Sequence, residues 1–150
     1  MAMLTLEKVE YRSAAEILAL VREFEARTLP RARWTHAAHL TVALWYVLTL
    51  EWHEAVRRVR RGIQLYNEAN GVRQTPEGGY HETLTVFWLR YVRSFLEEEL
   101  NEGRSLVALA NDLCSRADKG LPLAFYTRER LFSWEARTNW VEPDIEPPSS

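Results

Sequence analysis

A chain of 150 residues with 47% hydrophobic and 27% charged residues has the size of one domain and enough apolar material to bury a core. Its formal net charge of -2 excludes a general electrostatic pull toward nucleic acid or an anionic membrane. A single cysteine, Cys114, excludes an intramolecular disulfide and any multi-cysteine zinc site, and fits a reducing cytoplasm.

Met1 to Leu6 is too short and too mixed for a signal peptide, with Glu7 and Lys8 interrupting any apolar run. Ser13 and Glu16 form a capping box, and Ile17, Leu20, Val21 and Phe24 follow at helical spacing, which predicts a first helix over about 14–27. Leu29-Pro30 ends it, and the segment through Arg33 becomes a connection. Thr35 is an N-cap for a second helix over about 36–49. That stretch is apolar almost all the way round, so the other helices should enclose it. It is shorter than the ~20 apolar residues of a membrane span, so it reads as core.

A third helix over about 51–70 carries Trp52, Ala55, Val56, Val59, Ile63 and Tyr66 on one face, and Asn70-Gly71 stops it. Val72 to Gly79 contains Pro76 and the Gly78-Gly79 pair, so it reads as an irregular loop that delivers His81. Leu84, Phe87, Trp88, Tyr91 and Phe95 define the expected core face of a fourth helix over about 80–101. Its acidic end, Glu97 to Glu99, opposes the helix dipole and should fray or pair with arginines. Ser105 caps a fifth helix through about Arg116. Thr127 and Ser133 cap short helices over about 128–131 and 134–138, and a proline-containing tail follows, in which Trp140 and Ile145 can pin the chain across the bundle. The reading is all-α: one domain spanning 1–150, a bundle of about five helices around a buried central helix, with short C-terminal helices and irregular termini at 1–12 and 141–150.

The histidines hold the chemistry. His36 and His39 stand at i and i+3, on one side of the second helix, and His81 falls toward the core side of the fourth. All three sit near helix starts, where the positive end of the dipole disfavours imidazolium and keeps a neutral nitrogen available. If the helices are neighbours, the three rings converge as ligands or as a base. Glu82 then acts as acid, base or orienter, completing an N and O set suited to Zn, Fe, Mn or Ni. Each histidine also has a purely structural reading, bonded to backbone carbonyls or to Thr35, Tyr80 or Glu82. Trp34 and Tyr80 are candidate pocket walls, and Asn67 either fixes a ligand or caps a helix end. Arg57, Arg58, Arg60 and Arg61, diluted by acids, read as a solvated face, and Cys114 as an inert buried thiol.

The motifs Leu29-Pro30, Trp34-Thr35-His36, His39-Leu40, Tyr66-Asn67 and Gly79-Tyr80-His81-Glu82-Thr83 recur in a likeness that runs on through Arg128 to Ser133, Ala136-Arg137, Trp140 and Pro143-Asp144. Together they resemble a family of small all-helical bacterial proteins with WTHxxHL and GYHET motifs, and the likeness spans nearly the whole chain. The resemblance implies a stand-alone cytoplasmic protein and brings no activity with it. It singles out His36, His39, His81 and Glu82 a second time, and adds Arg137. Two expectations stand: a metal-dependent or histidine-based enzyme acting on a small polar molecule between the second and fourth helices, and a non-catalytic ligand-binding or protein-interaction module with structural histidines. Symmetric pairing, common among helical proteins of this size, makes a homodimer the assembly to test.

Overall fold

The computed structural model describes residues 10–99 and 103–145. Seven α-helices account for most of it: α1 Ala14–Ala26, α2 His36–Thr49, α3 Trp52–Ala69, α4 Glu82–Glu99, α5 Leu106–Arg116, α6 Arg128–Leu131 and α7 Trp134–Thr138. Single 3-10 turns stand at Arg31–Arg33 and Leu121–Ala124. Among the described residues the only β-type pairing is an isolated bridge between Thr75 and Gly78 in the loop before α4. Met1 to Leu6, read as too short and mixed for a signal peptide, the last residues of the predicted fourth helix and the end of the tail lie outside the described residues.

Side-chain caps fix the helix starts where the sequence places them. The Ser13, Thr35, Ser105, Thr127 and Ser133 hydroxyls accept from the backbone N–H of Glu16, Ala38, Ala108, Arg130 and Ala136. Each cap satisfies an otherwise orphaned donor and contributes on the order of 1 kcal/mol. The two short turns at 31–33 and 121–124 add helical structure where the sequence predicts only connections.

Helix α2 packs against α1, α3, α4 and α5. Its Ala38, Leu40, Thr41, Val42, Ala43, Leu44 and Tyr46 are buried, so it is the enclosed centre that its all-round apolarity requires. The α1–α3 crossing is close because Gly62 has no side chain: a Cβ there would come 2.7 Å from the Phe24 ring. Beside this main core, Tyr126, Leu131, Ala136 and Val141 form a second cluster, against which Leu84 and Phe87 of α4 pack.

Helix α4 is rotated from its expected orientation. The buried main-core side chains are Leu89, Val92, Phe95 and Leu96, with Thr83 and Val86 also buried; Trp88 and Tyr91 are partly buried against that core, and Leu84 and Phe87 partly buried against the second cluster. The reason is that α4 is covered on two sides, by α2 with α3 and by the C-terminal segment, so two apolar faces compete in its sequence. The tail is pinned as expected, with the Arg90 guanidinium of α4 4.3 Å from the Trp140 ring and the Ile145 N–H donating to the Phe125 carbonyl at 2.9 Å. The acidic end of α4 pairs with arginines: Glu99 meets Arg104 at 3.0 Å and Arg116 at 3.5 Å. Among the described residues no helix is long and apolar enough to cross a membrane.

Candidate functional site

The start of α2 forms one wall. Trp34 stacks on Phe24 with ring centroids 4.7 Å apart and also on the His39 ring at 3.7 Å. His39 Nδ1 lies 2.7 Å from the Thr35 carbonyl oxygen. A carbonyl can only accept, so the proton sits on Nδ1 and Nε2 carries a bare lone pair. Burial lowers the His39 pKa to about 4, against the opposing pull of the Thr35 hydrogen bond. The ring is therefore neutral near pH 7, with Nε2 unpartnered among the described residues. His36 is arranged the other way round: Nε2 donates to the Ala117 carbonyl at 2.9 Å, leaving Nδ1 bare, and the ring meets Trp88 edge-on at 4.8 Å. Burial lowers its pKa as well, reinforced by the nearby Lys119 ammonium.

The opposite wall begins with Gly79-Tyr80-His81-Glu82-Thr83, and here each residue has an architectural task. Gly79 adopts φ 88°, and a Cβ on it would run into the Arg73 carbonyl and come 2.8 Å from Gln74 Cα. His81 Nε2 donates to the Leu131 carbonyl at 2.7 Å, while Nδ1 accepts the Leu84 N–H at 3.1 Å, which makes His81 the N-terminal cap of α4. Both ring nitrogens are occupied, and burial lowers the pKa. Glu82 is clamped by Arg60 of α3 through two hydrogen bonds of 2.9 and 2.7 Å and accepts the Tyr80 hydroxyl at 2.5 Å. Burial pushes its carboxyl up, but the bonds from Arg60 and Tyr80 together outweigh that and hold it below the usual carboxylate range. The fully buried Thr83 hydroxyl lies 2.7 Å from both the Ala136 and Asn139 carbonyls and accepts the Val141 N–H at 3.2 Å. This motif is the socket into which the C-terminal segment docks.

Arg137, 6% exposed, reaches back from α7 so that Nη1 donates to the Gly79 carbonyl at 3.1 Å and the Tyr80 carbonyl at 3.5 Å, while its Nε has no partner. It braces the loop that carries His81.

Between the walls lies a cleft of about 570 Å³, lined by Trp34, His36, His39, Asn67, Tyr80 and His81 among others. That volume is in the range of small-molecule sites, about 300–1,000 Å³. The structure thus brings together the three histidines, both proposed aromatic walls and Asn67. The helix-end amide is supplied instead by Asn70, whose Nδ2 donates to the Tyr66 carbonyl at 2.8 Å. Glu82 and Arg137, expected at the site, are not in its lining, because each is spent on holding the loop and helix behind it. The expected metal set of His36, His39 and His81 loses its third member, since His81 has no lone pair to give. Among the described residues no group of three His, Cys, Asp or Glu side chains is placed to hold a metal ion.

Among the lining residues that sequence reasoning missed are Arg31, Thr85, Lys119 and Phe132. Arg31 and Lys119 lie in or beside short connections, where no periodicity announces which way a side chain turns. Thr85 sits one turn into α4, where its hydroxyl donates to the His81 carbonyl at 2.9 Å. The arginine cluster of α3 is partly engaged in ion pairs, with Arg57 and Arg58 on Glu54 as well as Arg60 on Glu82. Cys114 is half-buried, its thiol pushed up by burial and set beside the Thr41 hydroxyl at 3.6 Å, consistent with an inert thiol. The chain matches no protein-family model, no curated protein and no solved structure.

Proposed function

We propose that the protein binds a small molecule in the cleft between α2 and α4, and that His39 Nε2 accepts a hydrogen bond or a proton from it. The observation that carries this reading is the fixation of one imidazole with one nitrogen left over. The Thr35 carbonyl sets the tautomer at 2.7 Å, Trp34 sets the ring plane at 3.7 Å, and the remaining lone pair belongs to a ring that lines a cleft of about 570 Å³. A ring locked in place and held neutral is a pre-organised acceptor, the requirement shared by a specific binding site and by a general base. As an acceptor it holds a ligand O–H or N–H; as a base it removes that proton.

His36, with its bare Nδ1 on the same wall, is the second polar contact, and Asn67 and the Tyr80 ring complete a mixed polar and aromatic enclosure. The reading uses no metal. With His81 engaged at both nitrogens, the three histidines offer at most two free ring nitrogens, fewer than the three protein ligands of an ordinary catalytic zinc.

The test is a fragment screen by thermal shift, followed by ¹⁵N NMR of the imidazole nitrogens. Fragments that bind should move the His39 Nε2 resonance and lose about tenfold or more in affinity with His39→Ala, the scale of one hydrogen bond left unmade in a desolvated site. Fragments that bind tightly yet leave that resonance and the variant's affinity unchanged would remove the proposal.

A further inference from the structure

We infer that the ligand of this cleft is an organic anion, a carboxylate on an apolar or aromatic body, with the acid group seated between Arg31 and Lys119. The inference rests on the reading that the cleft is a small-molecule site, and goes on to name the class of molecule.

The whole chain carries a formal net charge of -2, yet the lining of the cleft inverts that balance. Its charged members are Arg31 and Lys119, and no aspartate or glutamate takes part. Both cations are exposed, and neither forms an ion pair with an acidic side chain among the described residues. Two acids lie close by, outside the lining. Glu82 is held by Arg60 and Tyr80, and the Asp118 carboxylate accepts the Gly120 N–H at 3.2 Å, next in sequence to Lys119 but outside the lining. Asp118 offsets part of the Lys119 charge at His36, but the lining itself carries only the two cations, beside a low-dielectric wall where attraction for an anion is stronger than at an open surface. Thr35 and His36 bring the start of α2 to the same side, and the helix dipole acts in the same sense.

The remainder of the wall specifies the body of the molecule. Trp34, Trp88, Leu84, Leu89, Ile63 and Phe132 offer flat and aliphatic contact, and Phe132 remains 45% exposed at the cleft. An exposed large aromatic beside a cleft is surface that a ligand's apolar part would cover. A carboxylate fits better than a phosphate ester. The lining contains no glycine-rich run of backbone N–H groups of the kind that cradles phosphate.

The experiment uses matched triplets, each with one aromatic body and three heads: 3-phenylpropionate, 1-naphthaleneacetate and indole-3-butyrate, each with its amide and its amine. Binding to the full chain is measured by isothermal titration at low ionic strength, then with Arg31→Gln/Lys119→Gln and with Arg57→Gln as a control on an unrelated exposed arginine. The expected result is that the acids bind about tenfold or more tightly than their amides and amines, the scale of a charge-assisted contact. The preference should shrink to within about twofold in the double variant, and with added salt, while Arg57→Gln leaves it unchanged. Amides or amines that bind as tightly as the acids would overturn the inference and leave the small-molecule reading standing, as would an acid preference that survives the double variant. No binding by any member of the set, at millimolar concentration, would overturn both.

Discussion

The two walls of the cleft start from the same residue type and spend it differently. On the α2 side, His36 and His39 each satisfy one nitrogen on a main-chain oxygen and keep the other bare. On the α4 side, His81 uses one nitrogen on the Leu131 carbonyl and the other on the Leu84 N–H, and nothing remains. The first wall is equipped to meet a ligand; the second is equipped to hold the C-terminal segment in place. Spacing alone does not separate these outcomes, because both put a histidine at the start of a helix. The deciding variable is whether a helix N–H stands within reach of the second nitrogen.

Substitutions should separate the walls. The largest effect belongs to Gly79→Ala, which forces an alanine to φ 88° and drives a Cβ into the Arg73 carbonyl. Strain and overpacking together predict a loss of about 3 to 5 kcal/mol in chemical denaturation. A loss below about 1 kcal/mol would mean that the loop has an alternative path, and the second wall would then be less rigid than the first.

Acid comes next. His39 titrates near pH 4 when folded and near its ordinary 6.5 when unfolded, so between those values the unfolded chain binds the extra proton. Stability is therefore full above about pH 6.5 and falls as the pH drops toward 4, by up to about 3 kcal/mol from this ring. His36 and His81 are shifted in the same direction and add to the fall. Denaturation midpoints at a series of pH values should show the slope, and His39→Gln should flatten it. A profile unchanged by that substitution would put the His39 ring in water.

The sharpest contrast is between two alanine variants at neutral pH. His81→Ala leaves the buried Leu131 carbonyl and the Leu84 N–H unmatched and should cost about 2 to 3 kcal/mol. His39→Ala removes a ring that stacks on Trp34 and bonds within its own helix turn, and should cost about 1 kcal/mol while abolishing the Nε2 contact. Equal losses in thermal and urea unfolding would erase the distinction between a structural and a free histidine.

The helix boundaries were legible because Ser13, Thr35, Ser105, Thr127 and Ser133 are caps whose chemistry is local, and the structure uses all five as caps. The enclosure of α2 was legible for a similar reason, since a helix without a polar side admits no other place. The orientation of α4 was not. Its Leu84, Phe87, Trp88 and Tyr91 outweigh Leu89 and Val92 in size, yet the smaller pair is enclosed in the main core, while Trp88 and Tyr91 only border it and Leu84 and Phe87 turn to the C-terminal cluster. Aromatic bulk marked the most apolar face without telling which partner would cover it. Glu82 illustrates the same limit. Its partner Arg60 lies 22 positions earlier and reads, from its own helix, as part of a solvated stripe. Lys119 and Arg31 were invisible for a different reason, because the path of a connection depends on the helices it joins.

The Leu131 carbonyl fixes His81, and Phe132, one residue on, helps to wall the cleft. The late segment therefore works as a faceplate whose inner side is bolted to α4 and whose outer side frames the opening. Exchanging the exposed side chains of this segment, Phe132 first, while preserving the Thr83 socket, the Arg137 brace and the buried Tyr126, Leu131, Ala136 and Val141 would reshape the opening and leave the α1–α5 frame as it is.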